Sequence, residues 1–364
     1  MIHRSLVRVC ALALLAGACT DSPTDASKPD SFTVLFMGVP ADAQSFTPTA
    51  VTGGRVVGTA SDGVSAWAVE WQAGSGFHRL LPAAPAGCHS EPLAARSAFT
   101  VGQITCTASG DPAGQPVDAY GWVAGQAVPR LFAEPYTFVG VNASGAIVGT
   151  VNPATQFPQG QHRAFLRTPA GVTVLVPDSA IGSEAAGITD AGEVAVTAWY
   201  ACPADAEDDD CPVRRVKVWS NGTWTEPRIP GDVPRLVAGA VSSDGHVAIY
   251  GFGQADQVFL YEIEDRDLEA LPVIPGTRVV LMSANARGQV IGTGIRPETA
   301  ARQTSYGIIW GADRQYDLSE RITGQAAWHI SSALASDDEG RIAATGTNLD
   351  DGLQGPILLV PVGL

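Results

Sequence analysis

The sequence predicts an all-β fold built from one repeated unit of four short strands, and three observations carry that expectation. A glycine that ends a turn and is followed by a short strand of small residues recurs at Gly54, Gly102, Gly145, Gly192, Gly245, Gly288 and Gly340, at intervals of 43 to 53 residues. A strand ending in a large side chain keeps step with it at Trp71, Trp122, Arg167, Trp219, Tyr261 and Trp310. The last copy stops before a fourth strand can form, while Ser31 to Met37 is a strand without a unit of its own. Spacings of roughly 40 to 50 residues belong to propeller blades. The expected architecture is therefore a seven-bladed β-propeller of four-stranded blades, with the N-terminal strand closing the last blade and so protecting sheet edges.

Taken in chain order, residues 1–18 begin with His3, Arg4 and Arg8 and continue in an apolar run from Val9 to Ala18. That run is shorter than the ~20 residues a bilayer requires. With small residues before Cys19, it reads as a secretory signal peptide. Cys19 after Leu15-Ala16-Gly17-Ala18 resembles the bacterial lipoprotein signal, although Ala16 stands where that signal usually has leucine. The resemblance implies cleavage before Cys19, lipidation of its thiol and a membrane anchor; an ordinary secretory signal leaving a free Cys19 is the alternative. Residues 19–30 are then a flexible polar tether, with no apolar side chain larger than Ala from Thr20 onward. Thr20, rather than aspartate, follows the cysteine, which by the same resemblance implies the outer membrane or cell surface in a cell that has an outer membrane.

Residues 31–364 form the repeat domain, with units near 45–82, 93–133, 137–177, 184–230, 236–273, 279–322 and 330–364 and the closing strand 31–37. The clearest unit has the turn Asn142-Ala-Ser-Gly145, the strand Ile147-Val148-Gly149, a variable loop, then Ala164-Phe165-Leu166 and Gly171 to Leu175. Asn142, Asn285 and Asp337 stand three before their glycines, where a side-chain oxygen can accept a backbone N–H while glycine takes positive φ. The strand after the turn is small and apolar on both faces, as expected beside a crowded axis. The tryptophans fill the widening gap between blades; sugar binding is their alternative role. A transmembrane barrel is the rival architecture, but its strands run to about 9 to 11 residues with outward apolar faces.

The turn Asn-x-x-Gly-x-Ile-Val-Gly at 142–149, with His162 and Ala164-Phe165-Leu166, resembles the bacterial extracellular repeat family named for its His-Ala-Phe tripeptide, here interrupted by Arg163. The resemblance implies a surface or secreted propeller-like protein.

Once Cys10 leaves with the signal and Cys19 takes lipid, Cys88, Cys106, Cys202 and Cys211 remain, an even number that points to disulfides in an exported protein. Local pairing of 88 with 106 and of 202 with 211 is expected. Zinc is the alternative, without a C-x-x-C pair to support it. Between the second pair lie Asp205, Glu207, Asp208, Asp209 and Asp210. Their oxygens suit calcium, yet the ligand order and turn glycine of a calcium loop are absent, so a solvated acidic loop is expected and no metal.

Net charge is -15, and with no Lys/Arg cluster evident this argues against nucleic acid as a partner. His78, His89, His162, His246 and His329 show no ligand spacing, and no nucleophile, paired-carboxylate or phosphate-loop motif stands out. No cofactor and no catalytic residue are assigned. The function expected is a lipid-anchored cell-envelope scaffold binding a protein or a polysaccharide. A surface hydrolase or lyase with its site at the central opening is the first alternative, and a purely structural envelope protein the second.

Overall fold

The computed structural model describes residues 31–80, 88–107, 116–123, 126–127, 131, 136–151, 162–202, 212–230, 233, 235–252, 256–299, 302–311, 314–324 and 326–363. Apart from a 3-10 turn at Leu318–Arg321, the regular elements among these residues are strands. Four-stranded sheets occupy residues 45–79, 88–127, 136–175 and 278–317, and an eight-stranded sheet spans 180–271. The larger sheet is two antiparallel meanders, 180–225 and 235–271, joined through one parallel pair, Arg214 with Arg235. The final sheet contains Trp328–Ser336, Ile342–Asn348 and Gln354–Pro361, and its outer strand is Phe32–Phe36 from the other end of the chain, with Phe32 opposite Pro361 and Phe36 opposite Ile357. The chain is an all-β propeller whose blades are four-stranded antiparallel sheets.

Sheets pack face to face through apolar clusters. The first and last meet through Phe46, Val56 and Trp71 on one side and Ala335, Ala343 and Leu358 on the other. The recurrent aromatics do this packing: Trp310 lies with Tyr250, Val258 and Leu271 of the preceding meander, and Tyr261 with Val216 and Val218. Trp219 packs against Val148, Ala164 and Leu166. Trp122 lies in a strand, but its side chain falls outside the described residues.

The strand that lines the axis is the one before each turn, not the one after it. Each innermost strand carries a bulge at the same level, between Pro48 and Ala50 in the first sheet, Pro92 and Ala94 in the second, and Phe138 and Gly140 in the third. A bulge increases the local twist and re-aims a residue. The position just after it is small throughout, because inner strands crowd one another: a Cβ on Gly187 would stand 2.8 Å from Val241 Cβ. The strand after the turn is second from the axis and mostly buried, wholly so in Ile147–Val151.

Six of the recurrent glycines, Gly54, Gly145, Gly192, Gly245, Gly288 and Gly340, have φ between 69° and 113° at the first turn of their sheets. Gly102 does not. It lies within Phe99–Thr107 opposite Pro92, the place held by Gly58, Gly149 and Gly292 in other sheets, and the turn of its unit is instead at Ser97, φ 51°. Glycine is needed at that second-strand position for another reason: a Cβ on Gly149 would meet the Thr137 carbonyl oxygen at 2.3 Å.

Candidate functional site at the central opening

Antiparallel meanders in a ring put the connection from first to second strand at one end and the connection from second to third strand at the other. The first end carries short turns, the second the longer loops. The innermost strands enclose an axial channel with a cavity volume of about 280 Å³. Bulge residues Leu93, Val139, Met282 and Leu334 give it an apolar waist, interrupted by Thr49 and Gly239.

At the turn end the channel meets a charged plug. Arg96 ends the second sheet's inner strand, Cys88–Arg96, Asp190 sits in the 188–194 turn, and Asp338 in the 336–342 turn. Arg96 Nη2 donates to Asp190 Oδ2 at 2.7 Å and its Nε to the same oxygen at 3.2 Å. Its Nη1 pairs with Asp338. Asp338 accepts Ser243 Oγ at 3.0 Å and the Ala286 amide at 3.2 Å, while Asp190 Oδ1 accepts the Ala143 amide at 2.8 Å. The Asp190 amide itself donates to the Ser243 carbonyl at 2.7 Å.

A second layer of links surrounds the plug. Asn142 Oδ1 accepts its own Ser144 and Ala146 amides at 3.1 and 2.9 Å, and its Nδ2 donates to the Thr189 carbonyl of the next meander at 3.2 Å. Asn285 and Asp337 accept the amide four residues on, and the hydroxyls of Thr189 and Ser242 do the same. The first sheet joins through Thr52 Oγ1, which accepts the Ser97 amide at 3.0 Å, and through the Gly54 amide, which donates to Asp337 at 3.4 Å.

Electrostatics mark the plug as a latch. Burial raises the Asp190 carboxyl, but hydrogen bonds from Arg96 and the Ala143 amide and the Arg96 charge outweigh it and hold the group below the usual carboxylate range. Burial likewise opposes the Arg96 charge, yet its bonds to Asp190 and Asp338 push the guanidinium up. Both shifts lock the charged forms. Titratable groups thus converge at the opening, and these two are held in their charged forms.

The other predicted residues are dispersed. Cys88 and Cys106 face one another across an antiparallel pair and form a disulfide, S–S 2.04 Å. Cys202 is disulfide-bonded. Cys19, Cys211 and the acids Asp205, Glu207, Asp208, Asp209 and Asp210 lie outside the described residues. The histidines are spread around the ring: His89 Nδ1 accepts the Ala66 amide at 3.0 Å, His162 packs edge-on to Trp199, and His246 Nδ1 lies 2.9 Å from Asp244. Among the described residues no three His, Cys, Asp or Glu side chains gather to hold a metal. Arg96, Asp190, Ser243 and Asp338 had no sequence expectation. Their signal was position alone, since Asp190, Ser243 and Asp338 each stand two before a turn glycine.

No protein-family model and no curated protein sequence matches the chain. Solved structures do. The β-propeller domain of the Trilobed protease from Pyrococcus furiosus, described as having an open velcro topology, aligns with TM-score 0.55 at 9% identity over 88% of this chain and 93% of that one. A structure from a study of two prolyl endopeptidases aligns with TM-score 0.54 at 11% identity, covering 89% of this chain but 51% of the other. An oligogalacturonate lyase from Vibrio parahaemolyticus gives TM-score 0.49 at 10% identity, over 92% of each chain. At these identities the likeness defines a class by fold, the β-propellers, and nothing finer.

Proposed function

We propose that this chain is a seven-bladed propeller, anchored by lipid at Cys19 in the cell envelope, that binds a protein or a polysaccharide through its loop end. The blade count follows from treating the meanders 180–225 and 235–271 as separate blades. One observation carries the reading: the two ends of the ring differ in chemistry. The turn end is crossed by Arg96, Asp190 and Asp338, which pair with one another and with the Ser243 hydroxyl and the Ala143 and Ala286 amides. Strand polarity supports the orientation. Ser31 is at the turn end, where its carbonyl accepts the Val362 amide at 2.8 Å, so a tether of residues 19–30 leaves from that end. The shortest path to a membrane then turns the plug inward and the loops outward, where variable connections serve recognition. The resemblance to the extracellular repeat family agrees with such an address.

The test is in-cell crosslinking of the tagged, native protein with mass spectrometry, against a Cys19→Ser control. A reproducible partner that depends on the anchor is the expected result. No partner above the control would overturn the stable protein-complex form of the reading.

A further inference from the structure

One patch at the loop end runs against the charge of the whole chain. Arg214, Arg215 and Lys217 stand on Val213–Ser220, and Arg235 begins the neighbouring strand beside Arg214. Arg228 joins them from the connection between the two meanders. Arg215 and Arg228 line a cavity of about 420 Å³ whose apolar floor is Ile229, Val233 and Leu236. Glu226, also at its wall, is engaged by Lys217 Nζ at 2.5 Å. Among the described residues Arg215 and Arg228 have neither an ion pair nor a side-chain hydrogen bond.

Two guanidiniums line one cavity with an apolar floor and hold planar donor forks that no described side chain uses. Such forks match a carboxylate in a bidentate way. A net charge of -15 repels acidic partners elsewhere, so a local cationic patch is where an acidic one can approach. The described wall is aliphatic, without the aromatic faces that would stack on a sugar ring, and it fits a leucine- or valine-type side chain.

We propose that this cavity docks an acidic peptide segment of a partner protein, with Arg215 and Arg228 holding its carboxylate while an adjacent aliphatic side chain covers Ile229, Val233 and Leu236. The inference names the partner chemistry for the binding function proposed above and rests on it.

The experiment is fluorescence anisotropy with the full-length protein in mild detergent and a labelled, capped peptide alternating leucine and glutamate. Saturable binding is expected, weakened at least tenfold by Arg215→Gln or Arg228→Gln and by glutamine in place of glutamate in the peptide. Arg266→Gln, on a remote turn, leaves binding unchanged. Thermal midpoints of the two cavity variants stay at or above the parent value, because neither guanidinium has an ion pair or side-chain hydrogen bond among the described residues to lose. Equal binding of the glutamine peptide, unchanged affinity in both variants, or displacement by an equal concentration of inorganic phosphate or a uridine oligomer would each overturn the proposal. Purified protein is used, so a failed titration beside a successful cellular crosslink rejects this cavity alone, and failure of both rejects the binding function with it.

Discussion

Removing the phenyl ring of Phe32 tests whether the N-terminal strand closes the ring. Phe32 is wholly buried, packed with Leu318, Ile330, Ile357 and Leu359, and its carbonyl accepts the Thr323 amide at 2.8 Å. Phe32→Ala keeps the backbone bonds and empties the ring's space, which costs about 3–5 kcal/mol for a large aromatic in a core. At about 2 °C per kcal/mol for a domain of this length, the thermal midpoint falls by about 6–10 °C. Leu35, on the same strand, is 41% exposed, so Leu35→Ala loses less than ~1 kcal/mol. Urea unfolding followed by tryptophan fluorescence reads both. If Phe32→Ala loses under ~1 kcal/mol, or no more than Leu35→Ala, the strand is not an integral part of the last blade and the reasoning fails.

Arg96→Met strands Asp190 and Asp338 beside each other without their cation. A loss of about 1.5–3 kcal/mol is expected in urea unfolding, shrinking in high salt and partly recovered by adding Asp190→Asn. Because the Asp190 carboxyl is held below its ordinary value, its contribution is present above an unfolded pKa of about 3.9 and disappears as pH falls through the lower folded value. An acid-unfolding titration of Asp190→Asn should therefore lack that component. Asn142→Ala removes an acceptor for two amides and the donor to Thr189, at about 1–3 kcal/mol by calorimetry. Cys88→Ser opens a bridge separated by 18 residues, costing about 3 kcal/mol on chain-entropy grounds, which thermal unfolding with and without reductant measures.

The repeat was legible because its turn chemistry is local. Asn142, Asn285 and Asp337 announce their turns by residue type, and glycine at positive φ has few substitutes. The second unit was misphased for the same local reason: Ser97 takes the turn without a glycine, while Gly102 imitates the signal from inside a strand. Trp71, Trp219 and Trp310 were readable as packing because a large ring repeated at one level needs a repeated gap. The axial plug was not legible, since Arg96, Asp190 and Asp338 lie far apart in sequence and meet only when every inner strand ends on one face. The basic patch escaped for a related reason. Arg228 and Arg235 reach Arg214 and Arg215 only through the parallel pair between two meanders, and in sequence they are diluted by acidic neighbours.

The most direct test of the account replaces single exposed residues by a photo-crosslinking amino acid in the native, anchored protein. Val64 and Leu349 lie on second-to-third strand connections at the loop end, and Ala73 and Asp265 on third-to-fourth turns at the opposite end. A protein scaffold that recognises its partner through the loops predicts capture of the same partner from Val64 or Leu349 and none from Ala73 or Asp265. Capture from the turn-end positions alone would contradict the orientation and the binding face together.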